Sequence, residues 1–551
     1  MRPQIWRPPT ELSAEEQAVE QRIRRAKLFV CLREWRHELF NEAFQTELAG
    51  MYRDRPQGRP PVPPAQLALA TILQAYTGVS DDEVIEACVM DRRWQLALDC
   101  LETGAAPFSK GTLVAFRKRL ISLDMDRRLL ERTLEVARAR GGFSPRALRL
   151  VLDSSPLWGA GRVEDTDNLV GHALHKALTV LAALQERELG EVAVAAGAAC
   201  VSGTSLKAEL DLDWDDPTAR EAALGTVLTA LSAVEQWLEA GPVGRTDPRV
   251  VQSLATAQQV VSQDVTTNAA GTPTLRQGVA KDRRISVEDG EMRHGRKSRS
   301  QLVDGMKRHV CHDQDSGLVP AVAITAANVP EAQATAAIVA DLTCQGLVLA
   351  CALPAPIAGT PEAAAPLPAE TEAALTVAEL AIDRAYLSSP LVRDRPPELT
   401  IVCKAWSVHN GTHFPKTAFV LDWEQQTLRC PHDIVMPLVV GQTVHFPTAT
   451  CAACPLRAQC TASPHGRSVA IHPDEPLLAE LRQRQQSAMG RAKLRERTAV
   501  EHDLAHIGFW QGDRARYWGL RKNLFDLRRC AVVNNLHVIA RRCAPLLRLV
   551  A

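Results

Sequence analysis

The spacing of apolar residues changes character near residue 146. Before it, apolar positions recur at helical intervals. Leu28, Phe29, Leu32 and Trp35 make one stripe, and Leu67, Ala70, Ile72, Leu73 and Tyr76 make another. Arg59-Pro-Pro-Val-Pro-Pro64 punctuates the two. Ser80 followed by Asp-Asp-Glu has the form of a helix cap with an acidic first turn. In Phe108–Leu120, Ser109 or Thr112 caps a helix whose Phe116 and Leu120 face inward, while Arg117, Lys118 and Arg119 face out. An all-helical N-terminal domain over 1–140 is expected. Short helices ending on a basic one suit a helix-turn-helix DNA reader, and equally an ordinary bundle.

After residue 146 the apolar runs shorten and close up. Leu148, Leu150, Val151 and Leu152 predict a buried strand that stops at Ser-Ser-Pro, with Asp153 where the chain leaves the core. Alone, such an aspartate is more often a turn residue than a metal ligand. Helical spacing returns over 175–264 (Leu178, Leu181, Leu184; Leu228, Leu231, Val234, Trp237). Residues 301–325 then read as two antiparallel strands joined at Asp313-Gln-Asp-Ser-Gly317, with Lys307 and His309 on one face of the first. A helix over Glu331–Cys344 and a Pro/Ala-rich connector over Pro354–Pro368 follow. Leu375–Asp383 is a second apolar strand ending on a carboxylate. If the two strands are neighbours, Asp153 and Asp383 reach one edge of a sheet, where they can share divalent metal. Ile401–Lys404, Ala418–Asp422 and Val444–Phe446 are short strands in a turn-rich stretch. A long helical segment over 477–506 and a last helix with Val532, Leu536, Ile539 and Ala540 inward complete the pattern. Arg497 and Glu501, four apart, share one helix face, the usual spacing of a surface ion pair.

At 551 residues the chain suggests roughly three or four domains. No apolar run approaches the ~18 residues of a membrane span, and the first residues lack a signal-peptide core, so a cytoplasmic protein is expected. Its 14 cysteines are then reduced thiols or metal ligands. Cys430, Cys451, Cys454 and Cys460 suit a structural zinc site, with His432, His465 or Cys403 as alternative ligands. A net charge of zero argues against a uniformly basic nucleic-acid binder, but 281–309 and 491–529 are locally basic.

Several stretches resemble one family when taken in order. They are Phe108–Leu120, Val151-Leu-Asp-Ser-Ser-Pro-Leu157, Gly305-Met-Lys-Arg-His-Val310 with Asp315-Ser-Gly317 and Thr325–Val329, then Ala381-Ile-Asp-Arg-Ala-Tyr-Leu-Ser388, and last Arg497-Thr-Ala-Val-Glu501. Together they resemble bacterial insertion-sequence transposases of the DDE type, in the long subgroup with a cysteine-containing insertion before the catalytic glutamate. The resemblance covers most of the chain outside 175–264 and the Pro/Ala connector. It departs at Leu494 and Gly508, where the family often carries Tyr and Lys.

The resemblance implies an α/β fold: an RNase H-like catalytic domain (mixed sheet flanked by helices) over 141–395 and 476–551, with a helical insertion at 175–300. An N-terminal all-α DNA-binding domain over 1–140 precedes it, and a small β, zinc-ribbon-like module occupies 396–475. It implies Asp153, Asp383 and Glu501 as ligands of two Mg²⁺ ions, with Mn²⁺ as substitute, and DNA contacts from Arg497, Lys307, Arg117, Lys118, Arg516 and Tyr517. The implied activity is binding of an element's terminal inverted repeats, with Mg²⁺-dependent strand cleavage and transfer by a homodimer on DNA in the bacterial nucleoid. Two alternatives stay open: a non-catalytic DNA-binding relic, and an endonuclease that cuts without joining. Glu496 and Asp503 are rivals for the third acid.

Overall fold

The computed structural model describes residues 2–547 apart from 55–56, 59, 141–146, 204, 270, 279, 298–299, 345–346 and 349–374. The side chains of 347–348, 375, 498–504 and 543–547 also lie outside the description. The Pro354–Pro368 connector falls outside the described residues.

The first 140 residues are helical, as the spacing predicts. Helices over Ala14–Arg22, Lys27–Leu39 and Glu42–Ala49 lead to α1 (Pro64–Thr77), then Asp81–Met90, Arg92–Leu98, α2 (Lys110–Ser122) and α3 (Met125–Arg140). Ser80 and Glu83 form a reciprocal capping box, and Ser109 caps α2. α1 is buried on nearly every side, so it is the central helix of this part. Its neighbours turn one expectation round. Arg117 does not face out: it is buried, bound to Gln74 of α1 at 3.0 Å and to Asp81. A buried guanidinium needs such partners, and both come from distant sequence.

A seven-stranded sheet carries the centre of the molecule. Its main strands are β1 (Leu148–Trp158), β2 (Leu302–Asp313), β3 (Ala321–Ala326), β4 (Leu375–Ile382) and β5 (Thr400–Val402). β1 pairs antiparallel with β2 on one side and parallel with β4 on the other. β3 extends the antiparallel side and β5 the parallel side. Arg293–Arg296 and Leu347–Val348 add short edges. The hairpin at Asp313–Gly317 is present, with Gly317 in the left-handed region at φ 79°. β5 belongs to this sheet, so the separate β module begins beyond it rather than at residue 396.

Between β1 and Arg293, an insertion of helices builds a core of its own, including Leu174, Leu178, Leu181, Val227, Val234 and Val260. Its first helix, α4 (Thr166–Gln185), starts before residue 175, and Arg293–Arg296 already pairs with β2, so the insertion occupies a narrower span than 175–300 at its end. Its root is tied by His172 of α4. Nδ1 lies 2.9 Å from Glu164 and Nε2 3.2 Å from Glu288, and the hydrogen bond that the ring donates to Glu164 raises the imidazole pKa.

The segment expected as one long helix over 477–506 is three: α5 (Glu475–Gln486), α6 (Ala488–Glu496) and α7 (Thr498–Gln511). Ser487 breaks the first from the second by capping α6 through Gly490 N–H. The last helix, α8 (Leu520–Leu547), runs back through the N-terminal part. Val532, Leu536 and Ile539 join Leu69, Leu73, Leu130 and Leu134 in one core, which also takes Val310 of β2 and Val322 of β3. Asn535 bonds Thr133 at 3.0 Å and the Val319 backbone on both sides. The N-terminal helices therefore share their core with the end of the chain. Among the described residues, no helix is long and apolar enough to cross a membrane.

Leu536→Ala is expected to destabilise the protein by about 2–5 kcal/mol in urea unfolding. A fragment of residues 1–140 is expected to show no cooperative transition, because α8 supplies one wall of its core.

Candidate active site at the open end of the sheet

Asp153 is not at a strand end. β1 continues to Trp158 and stays paired with β2, Asp153 opposite Val310. What ends there is the parallel pairing with β4, whose last partners are Leu152 and Ile382. The next residue on each strand is Asp153 on one and Asp383 on the other, so the two carboxylates stand where the sheet opens. Each is fixed locally: Asp153 Oδ1 accepts from Ser154 N–H at 2.8 Å, and Asp383 Oδ1 accepts from Arg384 N–H at 2.8 Å.

Arg497 lies between them. Its guanidinium is 3.4 Å from Asp153 Oδ2 and 3.5 Å from Asp383 Oδ1, and donates to the Ile382 carbonyl at 3.3 Å. Asp153 is the more enclosed, its side chain 16% exposed against 53% for Asp383. Burial raises the Asp153 pKa above the ordinary aspartate value; Arg497 opposes that shift, and the neighbouring charge of Asp383 adds to it. A site of two carboxylates with one enclosed favours a cation between them. Arg497 is that cation here, and the two carboxylates are hard oxygen donors of the type that could hold Mg²⁺ or Mn²⁺.

Arg497 itself stands at the N-cap position of α7, in helical conformation and without a side-chain capping bond, with Glu501 in the following turn. The Glu501 side chain lies outside the described residues, as does that of Asp503. Glu496 is turned away: it pairs with Arg149 and, at 3.2 Å, with Lys493. Slight burial raises its pKa, but those two bonds bring it below the ordinary value. Arg149 and Lys493 also hold Glu379, at 3.4 and 3.0 Å. Leu494, in the position where a tyrosine was expected, packs on Val151, Ala381 and Val402 behind the acids.

Behind the site is a buried chain that the strand pattern did not reveal. Tyr386, three residues after Asp383, has no exposed surface. His309 Nδ1 is 2.7 Å from its hydroxyl, and His309 Nε2 is 2.9 Å from Thr325 Oγ1. Burial, helped by Lys307, pushes the His309 imidazole down to about 3, and burial raises the Tyr386 phenol well above its usual value. The tyrosine at i+3 from Asp383 was the one available signal.

The expected DNA contacts divide. Lys118 is exposed on α2, and Arg516 is exposed while donating to the Trp510 and Gly78 carbonyls at 3.1 and 3.4 Å. Tyr517 is half-buried against Phe525. Lys307 is withdrawn: its Nζ is 2.9 Å from Glu331 and 3.1 Å from the Val329 carbonyl, in a buried position that leaves no charge to offer DNA.

A second candidate centre lies in the β module. Three short strands (Val420–Asp422, Thr427–Arg429, Val435–Pro437) and a separate pair (Thr443–His445, Ser468–Ala470) carry it. Cys430, Cys451, Cys454 and Cys460 all line one cavity of about 30 Å³, with His432 beside them. Gly466, at φ 84°, allows its backbone under Cys451, where a Cβ would come 3.3 Å from Sγ. Four soft thiols around a space of this size fit the donor set of Zn²⁺. They are not drawn into a tight cluster. Among the described residues, Glu164, His172 and Glu288 are the trio whose ligand atoms lie within 4.8 Å of one another. Cys403 belongs to the sheet core and is no substitute ligand.

His309 gives a pH prediction. Its folded pKa of about 3 lies below the ordinary histidine value, so between the two the unfolded chain binds the extra proton. Stability from this residue is full above about pH 6.5 and falls as the pH drops towards 3. In thermal melts from pH 7 to 4, His309→Gln should lose less stability than the parent, whatever its starting value.

Two family models match the chain. Residues 18–119 match the model described as Transposase domain (DUF772), and residues 439–540 match Transposase DDE domain. The first spans the N-terminal helices through most of α2. The second begins within the cysteine module and runs through Arg497 and Glu501 into α8. No curated protein and no solved structure matches the chain. With two transposase domains matched in order and two aspartates meeting at the open end of the sheet between them, the chain is indicated to be an insertion-sequence transposase of the DDE class.

Proposed function

We propose that this protein binds the terminal inverted repeats of an insertion sequence and catalyses Mg²⁺-dependent DNA strand cleavage and strand transfer. In this reading the central sheet is an RNase H-like catalytic core and the protein works as a homodimer on DNA in the bacterial nucleoid. The observation that carries it is the meeting of Asp153 and Asp383 on adjacent parallel strands around one shared guanidinium.

Asp153 and Asp383 would hold the metal, with Glu501 of α7 as the third acid. Two bound Mg²⁺ ions would lower the pKa of the attacking water or 3′-hydroxyl and neutralise the leaving oxygen. The chain's own residues prepare that chemistry. Ser154 and Arg384 N–H groups hold the two carboxylates in place, and the buried Tyr386–His309–Thr325 chain braces the turn after Asp383. Arg497 balances the two negative charges and is placed to take a phosphate oxygen when DNA arrives. Exposed Lys118 and Arg516 would contact the DNA backbone, fixing position rather than reading sequence. The cysteine module would be held by one structural Zn²⁺ through Cys430, Cys451, Cys454 and Cys460.

Asp153→Asn should reduce nicking of end DNA by about 10³-fold or more, since metal stabilisation of this kind contributes several kcal/mol. It should spare end binding in gel shifts; retained cleavage would remove Asp153 from the site. Pre-cut end DNA mixed with a target plasmid and Mg²⁺ should yield joined product, which an enzyme that only cuts would not give. Elemental analysis should find one zinc per chain, lost in Cys454→Ser together with thermal stability. A full zinc complement in that variant would exclude the four-thiol site.

A further inference from the structure

The face of the sheet that carries the two aspartates is built in three tiers. Side chains two residues apart on a strand share a face, so Arg149, Val151 and Asp153 of β1 stand in line. Glu379, Ala381 and Asp383 stand in line on and just beyond β4, with Arg149 opposite Glu379 and Val151 opposite Ala381. The rows run charged, apolar, charged towards the open end of the sheet. α6 and the residue after it cover all three. Lys493 and Glu496 meet the first tier, Leu494 packs on the second, and Arg497 meets the third. Lys493 and Arg497 are four residues apart with Arg497 still in helical conformation, so both leave one helix face.

The first tier is a closed ring of charge. Arg149 contacts Glu379 at 3.4 Å and also Glu496, while Lys493 contacts Glu379 at 3.0 Å and Glu496 at 3.2 Å. Each cation touches both carboxylates. An isolated exposed ion pair contributes little, but a network of several charges is the exception. Arg149 is anchored further in the hairpin, by Asp315 at 3.1 Å and Gln314 at 3.0 Å. The apolar tier cannot set the register of α6 alone, because burial of Leu494 is non-directional and lets a helix slide or turn. Charged contacts of fixed length do not. The third tier has no slack. Arg497 reaches its acids at 3.4 and 3.5 Å, and a slide by one residue's rise along the helix axis, about 1.5 Å, would part it from one of them.

We propose that Arg149 and Lys493 are positioning residues of the candidate active site: through Glu379 and Glu496 they fix α6 on the sheet and so seat Arg497 between Asp153 and Asp383. They act at a distance from the chemistry, four residues back along each strand from the acids. The structural part of the proposal stands on the ring itself. Its consequence for cleavage rests on the reading of the two aspartates as a DNA-cutting centre. The third turn of the argument is that the ring is shared by β1, β4 and α6, so one set of contacts registers both acid-bearing strands against the arginine that balances them.

The test compares Lys493→Met, which keeps the stem and removes the charge, with Lys493→Arg in the full-length protein. Lys493 is the cleaner probe, because Arg149 also holds the hairpin. Glu379→Gln weakens the same ring from the sheet side and should behave as Lys493→Met. Crystal structures should show Arg497 released from one or both aspartates in Lys493→Met and seated on both in Lys493→Arg. In single-turnover nicking at saturating end DNA, Lys493→Met should slow cleavage about tenfold or more, since a group misplaced by about 1 Å can cost that much. Affinity for end DNA should not change, and Lys493→Arg should recover most of the rate. Arg497 still seated on both acids in Lys493→Met and Glu379→Gln would overturn the proposal. So would variants that unfold at lower urea yet nick at the parent rate, because the ring would then be a stabilising contact only. A parent protein that nicks no DNA would sink the catalytic reading instead, and the seating of Arg497 would still decide the proposal.

Discussion

The site depends on where one pair of strands stops. β1 and β4 run parallel as far as Leu152 and Ile382, and then β1 continues with β2, bridged on its other side at Trp158 to Arg514. A parallel pair held to that register must place Asp153 and Asp383 side by side at its end, without help from loops. Two carboxylates so placed repel one another, and burial of the first raises the cost of ionising both. A cation is needed, and the chain provides one in Arg497. Arg497 stands between α6 and α7, where its side chain reaches both acids.

The parts of this arrangement that were legible in the sequence are those with local causes. The apolar run at Leu150–Leu152, the hairpin at Asp313–Gly317, the helix over Glu331–Cys344 and the strand leading to Asp383 all carry their own periodicity or turn chemistry. Ser154-Ser-Pro156 misleads for a physical reason. Proline normally ends a strand because it has no N–H to give, but beyond Asp153 β1 has one neighbour instead of two, and an edge position tolerates it. Ile401 was read with the module because it is close in sequence; its true partner is β4, across parallel pairing that no local pattern encodes. Arg117 and Lys307 look like exposed charges until Gln74, Asp81 and Glu331 are brought to them by the fold. The third acid remains a matter of motif, since the Glu501 side chain lies outside the described residues.

The same burial of charge withdraws part of the basic runs from the surface. In the run over 491–529, Arg528 and Arg529 are buried and Arg521 is half-buried, while Arg491, Arg495, Arg514, Arg516 and Lys522 stay exposed. Arg521 and Arg528 are held by Asp124 and Asp126, Arg528 also by Asp341 at 3.0 Å, and Arg529 by Asp526 and Gln74. The pairs with Asp124, Asp126 and Asp341 join α8 to the start of α3 and to the helix over Glu331–Cys344, while Arg529–Asp526 lies within α8. They specify one docking of α8, because any other would strand a buried charge.

That docking sets a schedule for making the protein. The N-terminal helices are the first to leave the ribosome, yet the apolar side of α1 and α3 is covered by Val532, Leu536 and Ile539. Roughly 380 residues separate the end of α3 from the start of α8, and at about 5–20 residues per second their synthesis occupies on the order of half a minute. For that interval the part that begins the chain has no lid over its core. The N-terminal part that matches the first transposase domain thus completes its core only once α8 has been made.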